Sequence, residues 1–148
     1  MAFFTRLETL KAKLNMNQIH EKFCPKVDEF IGFQITDFRE EDRSVVGRLV
    51  VSDHNTQPFG LLHGGVSCLV AESIASMAAN FSVAEDQAAV GQSLTANHIR
   101  SARAGDEITV TARNVHSGNR SQVWNVDLTR GDDLISQVIL TISIISKK

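Results

Sequence analysis

The chain has 148 residues, with 15 basic and 17 acidic side chains, 43% hydrophobic and 22% charged residues. That length and balance suit one folded domain with a substantial core and exclude a disordered chain. A net charge of −2 excludes a broad nucleic-acid footprint, so any anionic ligand must meet a local basic patch.

The predicted elements begin with a helix over Phe3 to Leu14, with Phe4, Leu7, Leu10 and Leu14 on one side. Thr5 and Glu8 have the spacing of a capping box. A second short helix is expected over Gln18 to Phe23, ended by Pro25. Phe33 to Phe38 and Ser44 to Val51 read as two strands of a hairpin around the charged turn Glu40-Glu41-Asp42-Arg43. After a polar loop from Ser52 to Gly60 comes a helix from about Gly65 to Phe81, apolar on nearly every face and therefore expected to be buried. The second half reads as a meander of four strands: Ala88 to Ile99, Ile108 to Val115, Gln122 to Thr129 and Leu134 to Ile145. Alternation within them, as in Trp124, Val126 and Leu128 against Asn125, Asp127 and Thr129, predicts antiparallel strands with one covered face. The apolar helix is the natural cover. The fold class is thus α+β, a single domain over residues 1–148 with a helical N-terminal extension over 1–30.

The opening residues lack the basic and apolar regions of a secretory leader, and no apolar run suits a bilayer span. Cys24 and Cys68 have neither metal-ligand spacing nor the number for a disulfide framework, and Cys68 reads as a small core residue. A cytoplasmic protein without a membrane or nucleic-acid partner is expected. No zinc or acidic metal-loop pattern occurs, so no metal or other cofactor is expected.

The chemistry concentrates between Gln57 and Asn80. Glu72 is the only carboxylate in the long apolar helix. Such a group is either a helix residue that reaches solvent or a basic partner, or an acid, base or nucleophile. Ser76, four residues on, shares its face; it suits orienting a water or the carboxylate, and equally suits close packing. His63-Gly64-Gly65 stands at the helix start, where the Gly64 or Gly65 amide can donate to an oxyanion. Gln57 lies six residues upstream in the loop and can donate its amide to a carbonyl. His98, ending a strand whose alternation includes Leu94 and Ala96, either faces a pocket or is structural. Arg100, Arg103 and the turn Ser117-Gly118-Asn119-Arg120-Ser121 carry groups suited to phosphate, or are ordinary solvated turns.

Taken together, Gln57-Pro-Phe-Gly-Leu-Leu-His63-Gly-Gly, Ala71-Glu72-Ser73 with Ser76, Val90-Gly91 through Ala96 to Arg103 and Gly118 to Trp124 resemble the hotdog-fold acyl-CoA thioesterases. The resemblance is to the arylthioesterase branch, which includes aryl-CoA hydrolases of menaquinone synthesis and proofreading thioesterases of siderophore synthesis. It covers most of the chain, and the segment before about Ile31 departs from it. The resemblance implies a long helix wrapped by an antiparallel sheet, protomers that join their sheets in a homodimer or homotetramer, and active sites at the dimer interface. It implies Glu72 as nucleophile or general base, with Gln57 and the Gly64 amide polarising the thioester carbonyl of an acyl-CoA. His63 and Ser76 would position substrate or water, and His98 would contact the acyl or thioester region. Gly65 and the loops with Arg100, Arg103, Ser117, Gly118, Arg120 and Ser121 would bind substrate, the loops at the coenzyme A phosphates. Two other classes fit the sequence less well. A hotdog dehydratase carries a different histidine loop, and an acyl-CoA sensor needs a DNA-binding segment that the mixed-charge N-terminus does not supply.

Overall fold

The computed structural model describes residues 2–148. Three short helices, α1 (Thr5–Lys11), α2 (Met16–Phe23) and α3 (Lys26–Ile31), precede the hairpin of β1 (Gln34–Arg39) and β2 (Ser44–Val50). The long helix α4 (Gly64–Ser82) follows, then β3 (Gln87–His98), β4 (Glu107–Ser117), β5 (Ser121–Arg130) and β6 (Asp133–Ser146). The strands form one antiparallel sheet in the order β1-β2-β4-β5-β6-β3.

The α+β class and the helix against an antiparallel sheet are as expected, but the meander is not. Only β4, β5 and β6 follow one another; β3 lies beyond β6, in register from Gln87 opposite Ser146 to His98 opposite Ser136. The connections explain this. Residues 118–120 and 131–132 are tight turns that force neighbours to pair, whereas residues 99–106 are long enough to cross the end of the sheet.

Helix α4 lies against the concave face. Val70, Ala71, Ile74, Ala75, Ala78 and Ala79 are buried at helical spacing. The four alanines let the helix backbone approach the sheet closely, against the fully buried Trp124, Val126, Val138 and Ile142. Burying each large apolar side chain contributes roughly 1.5–3 kcal/mol. Bulges between Gly91 and Ser93 and between Asn114 and His116 interrupt the ladders where the long strands bend round the helix. The Trp124 indole N–H donates to Gln122 Oε1 at 2.8 Å, and Gln122 Nε2 donates to Ser82 Oγ at 3.0 Å. The sheet centre is thereby tied to the last turn of α4.

The N-terminal segment is more helical than expected. Thr5 and Glu8 form no capping box: the N-cap position is Phe4, and Thr5 Oγ1 donates to Ala2 O. The Glu40 carboxylate, from the β1–β2 turn, accepts from the amides of Phe3 and Phe4 and satisfies that helix end instead. The capping box is one helix later, where Asn15 and Gln18 bond reciprocally at 3.0 Å. Pro25 both ends α2 and caps the start of α3, which the sequence reading had left without a helix. Gly32 closes α3 at φ 78°, a left-handed conformation for which glycine carries no penalty.

Candidate active site

The loop before α4 is organised by Asn55, a buried residue that sequence reasoning passed over. Its Nδ2 donates to Ile31 O and Val50 O, its Oδ1 accepts from Ser52 N, and its own carbonyl accepts from His63 N. Within the loop, Gln57 N donates to Leu61 O, and Gln57 Oε1 accepts from Phe59 N. The Gln57 side-chain NH₂ is therefore left to donate elsewhere. His63 is the N-cap of α4, its Nδ1 accepting from Gly65 N at 2.8 Å. That bond separates two candidate oxyanion donors. The Gly65 amide is committed, while the Gly64 amide has no acceptor among the described residues. Neutral His63, accepting at Nδ1, carries its proton on Nε2.

His98 approaches this helix start from β3. Its Nδ1 lies 2.9 Å from Ser136 Oγ, and a side chain at Gly64 would come within 2.7 Å of its Nε2. Only glycine leaves that room. Gln57, Gly64, Ser67, His98 and Arg100 line a cavity of about 290 Å³. The Arg100 side chain also donates to Leu134 O, and Leu61 bridges to Arg103 on the same side. Neither arginine is ion-paired among the described residues.

Glu72 opens onto a different cavity. It shares a space of about 690 Å³ with Gly65, Cys68, Ser73, Ser76 and Met77. The side of α4 that carries it is only partly covered, at the edge strand β3, so Glu72 is exposed and Cys68 only half-buried. These are corrections to a helix buried on every face and to Cys68 as a core residue. The Glu72 carboxylate lies over Gly91 of β3, where a Cβ would overlap its Oε1 and come within 3.0 Å of its Cδ. Ser76 lines the same cavity, and its buried Oγ has no hydrogen-bond partner among the described residues. Beside Glu72, Ser73 Oγ donates at 2.8 Å to Oδ1 of Asp28, a carboxyl group on α3 that is 1% exposed. Burial pushes the Asp28 pKa up, opposed by the Ser73 bond and by nearby His20. Burial likewise raises the Cys68 thiol, which makes it a poor nucleophile. Asp28 had no signal in the sequence, because its burial depends on α3 docking against α4.

The turn 117–121 stands at neither cavity. Ser117 Oγ donates to Asn114 Oδ1, Gly118 N donates to Ser121 O, and Arg120 is exposed. This turn and Ser82 line a third hollow, near the far end of α4 from His63. Within one chain, then, the named residues fall into three groups: Gln57, Gly64, His98 and Arg100; Glu72, Ser76 and Gly65; and the 117–121 turn. No cluster of three or more potential metal ligands occurs among the described residues. No described helix is long and apolar enough to cross a membrane.

A long central helix laid against a single six-stranded antiparallel sheet is the hotdog arrangement. The chain belongs to the thioesterase superfamily, whose family model matches residues 59–136. It is 41% identical over 103 residues to a 1,4-dihydroxy-2-naphthoyl-CoA hydrolase of Listeria monocytogenes, covering 70% of this chain and 81% of the relative. Among solved structures it is similar to a thioesterase of Haemophilus influenzae, with a TM-score of 0.82 and 32% identity over 90% of this chain and 92% of the other. A mutant thioesterase of Pseudomonas aeruginosa superposes with a TM-score of 0.84 at 29% identity, covering 91% and 96%.

Proposed function

We propose that this protein hydrolyses aryl-CoA thioesters, of which 1,4-dihydroxy-2-naphthoyl-CoA of menaquinone synthesis is the model, at sites built by two copies of the chain. The observation that carries the reading is the division of the machinery. Gln57, Gly64 and His98 line one cavity and Glu72 and Ser76 another, and strand β3 forms an open sheet edge beside both. A second copy related by a twofold axis would pair β3 with β3 and bring the Glu72 of one chain to the His63-Gly64 turn of the other. Exposed Val90 on β3 and Phe59, 84% exposed at the tip of the Gln57 loop, are the apolar surface such an interface would cover.

In that site the Gly64 amide and Gln57 NH₂ take the negative charge that develops on the thioester oxygen. Glu72 supplies the carboxylate that either attacks the carbonyl, giving a mixed anhydride that water then hydrolyses to regenerate the carboxylate, or deprotonates the attacking water. His63, Ser76 and Gly65 place substrate and water, and His98 contacts the acyl group. Arg100, Arg103 and the Ser117, Gly118, Arg120 and Ser121 turn meet the coenzyme A phosphates from the two chains. The thiolate of coenzyme A leaves, and the products are the free acid and coenzyme A. No cofactor enters the reaction.

The test is thiol release from 1,4-dihydroxy-2-naphthoyl-CoA, benzoyl-CoA, hexanoyl-CoA and palmitoyl-CoA, with wild type, Glu72→Ala and Gln57→Ala. Aryl preference lost in both variants is expected. Mixing the two inactive variants after dissociation should restore about a quarter of wild-type activity. Half the reassorted dimers are then mixed, and each mixed dimer holds one intact site of two. No recovery on mixing would place the whole site within one chain, and activity surviving in Glu72→Ala would remove Glu72 from the chemistry.

A further inference from the structure

The Glu72 cavity has a polar feature that hydrolysis of a plain acyl group does not use. Its lining runs along one side of α4, from Gly65 past Glu72 to Asn80 and Phe81, with Phe23 and Pro25 of the N-terminal segment as the facing wall. The body of the space is apolar: Leu69, Met77, Phe81 and Phe23. At the Asn80 end stands Arg6, half-buried on α1. One guanidinium N–H donates to Asn80 O at 3.1 Å, closing a carbonyl of the helix's last turn. An arginine carries five N–H donors, and Arg6 lines this cavity, as it does a neighbouring hollow with Lys22 and Glu85, with no carboxylate paired to it among the described residues. The Asn80 side chain cannot help, since its amide is spent on Ser76 O and on both backbone groups of Ala89. Lys147, whose ammonium donates to Glu85 O, adds a second positive charge at that end.

A half-buried guanidinium with donors to spare at the end of an apolar space suits an anion, which it can bind with charge-assisted hydrogen bonds. We propose that the cavity selects acyl groups with a flat apolar body and a carboxylate at the end remote from the thioester, with Arg6 as the residue that reads the carboxylate. The proposal rests on the reading of Glu72 as the catalytic carboxylate. The dimensions agree with it: Glu72 and Asn80 are two turns apart, about 12 Å along the helix. Once the reach of the two side chains is subtracted, one or two aromatic rings fill that span. Phe23 and Phe81, packed edge to face with ring centroids 5.4 Å apart, form an aromatic wall for them.

The experiment compares kcat/KM for two matched pairs, benzoyl-CoA with 4-carboxybenzoyl-CoA and 2-naphthoyl-CoA with 6-carboxy-2-naphthoyl-CoA, in wild type, Arg6→Gln and Arg6→Lys. Wild type should favour the carboxylated member by about ten- to a hundred-fold, the effect of a charge-assisted hydrogen bond. Arg6→Gln should erase that preference while leaving the uncarboxylated member within about threefold, and Arg6→Lys, which keeps the charge without the fork, should retain part of it. A wild type that cleaves the uncarboxylated member as fast overturns the proposal. An equal loss on both members in Arg6→Gln also overturns it, since Arg6 would then be only a helix cap or a coenzyme A contact. Glu72→Ala run alongside separates the failures: full activity in that variant refutes the site assignment, whereas an inactive Glu72→Ala with no pair preference in wild type refutes only the role of Arg6.

Discussion

Gly91 provides the sharpest test of where the Glu72 carboxylate must sit. A methyl group added there would overlap Glu72 Oε1 and lie 3.0 Å from its Cδ and 3.3 Å from its Cγ. Comfortable carbon contacts are about 3.5–4.0 Å, so Gly91→Ala must push the carboxylate away by an amount on the order of 1 Å. A displacement of that size in a reacting group costs about a hundredfold in rate. The backbone has no reason to object: Gly91 is not among the residues with positive φ, and it lies in a strand. Replacing glycine by alanine where the conformation is compatible stabilises by about 0.4–1 kcal/mol through the unfolded state. The expected result is therefore an enzyme at least as heat-stable as wild type, with kcat down about a hundredfold and KM little changed. Thiol release over a substrate series and a thermal melt measure all three. A variant that keeps kcat within twofold would show that the carboxylate does not work from its place over Gly91. A variant that loses kcat and melting temperature together would mark Gly91 as structural.

Two further perturbations address the groups around this carboxylate and its counterpart. Asp28 is buried with its pKa raised, so its contribution to stability is fully present below the unfolded value of 3.8 and is lost as pH rises through the folded one. Asp28→Asn keeps an acceptor for Ser73 Oγ and removes the ionisation; its melting temperature should exceed wild type at pH 7, with the gap closing as pH falls towards 3.8. A gap that widens on acidification would mean the ionised form is the stabilised one. Ser136→Ala removes the hydroxyl 2.9 Å from His98 Nδ1. It should lower kcat/KM about tenfold, as loss of an orienting partner does, and restoring the hydroxyl with Ser136→Thr should recover most of it; unchanged kinetics would make His98 a bystander.

Elements with strong periodicity were readable and those made by docking were not. The strands over 108–115, 122–129 and 134–145 and the long helix differ from the observed elements by a residue or two at their ends, because alternation and an unbroken apolar run are local signals. The place of β3 beside β6 is not local: its residues read as strand equally well next to β4, and only the length of the 99–106 connection hints otherwise. The Thr5–Glu8 box failed for a similar reason, since Glu40, some thirty-five residues away, reaches the helix end first. At the candidate site, the motif residues Gln57, Gly64 and His98 line one cavity, and Glu72 and Ser76 line another. Asn55, Asp28 and Arg6 carry no sequence signal of a role, and Gly91 is part of the resembling segment without one, because each meets its partner only across a distance in sequence. The Asn55 contacts with Ile31 and Val50, the Asp28 contact with Ser73 and the Gly91 contact with Glu72 all exist only after folding.

The composition of α4 also explains why Glu72 was legible before its surroundings were. One side of the helix is small and apolar because it packs on the chain's own sheet; the side with Cys68, Leu69, Ser76 and Met77 is nearly as apolar although it is only partly covered. A face left partly open in this way is expensive in water unless something occupies it. The apolar part of an acyl group and the surface of a second chain both have the required character, and the proposed site uses both. Association and substrate binding would then draw on the same face, each covering part of the apolar surface that the chain's own sheet leaves open.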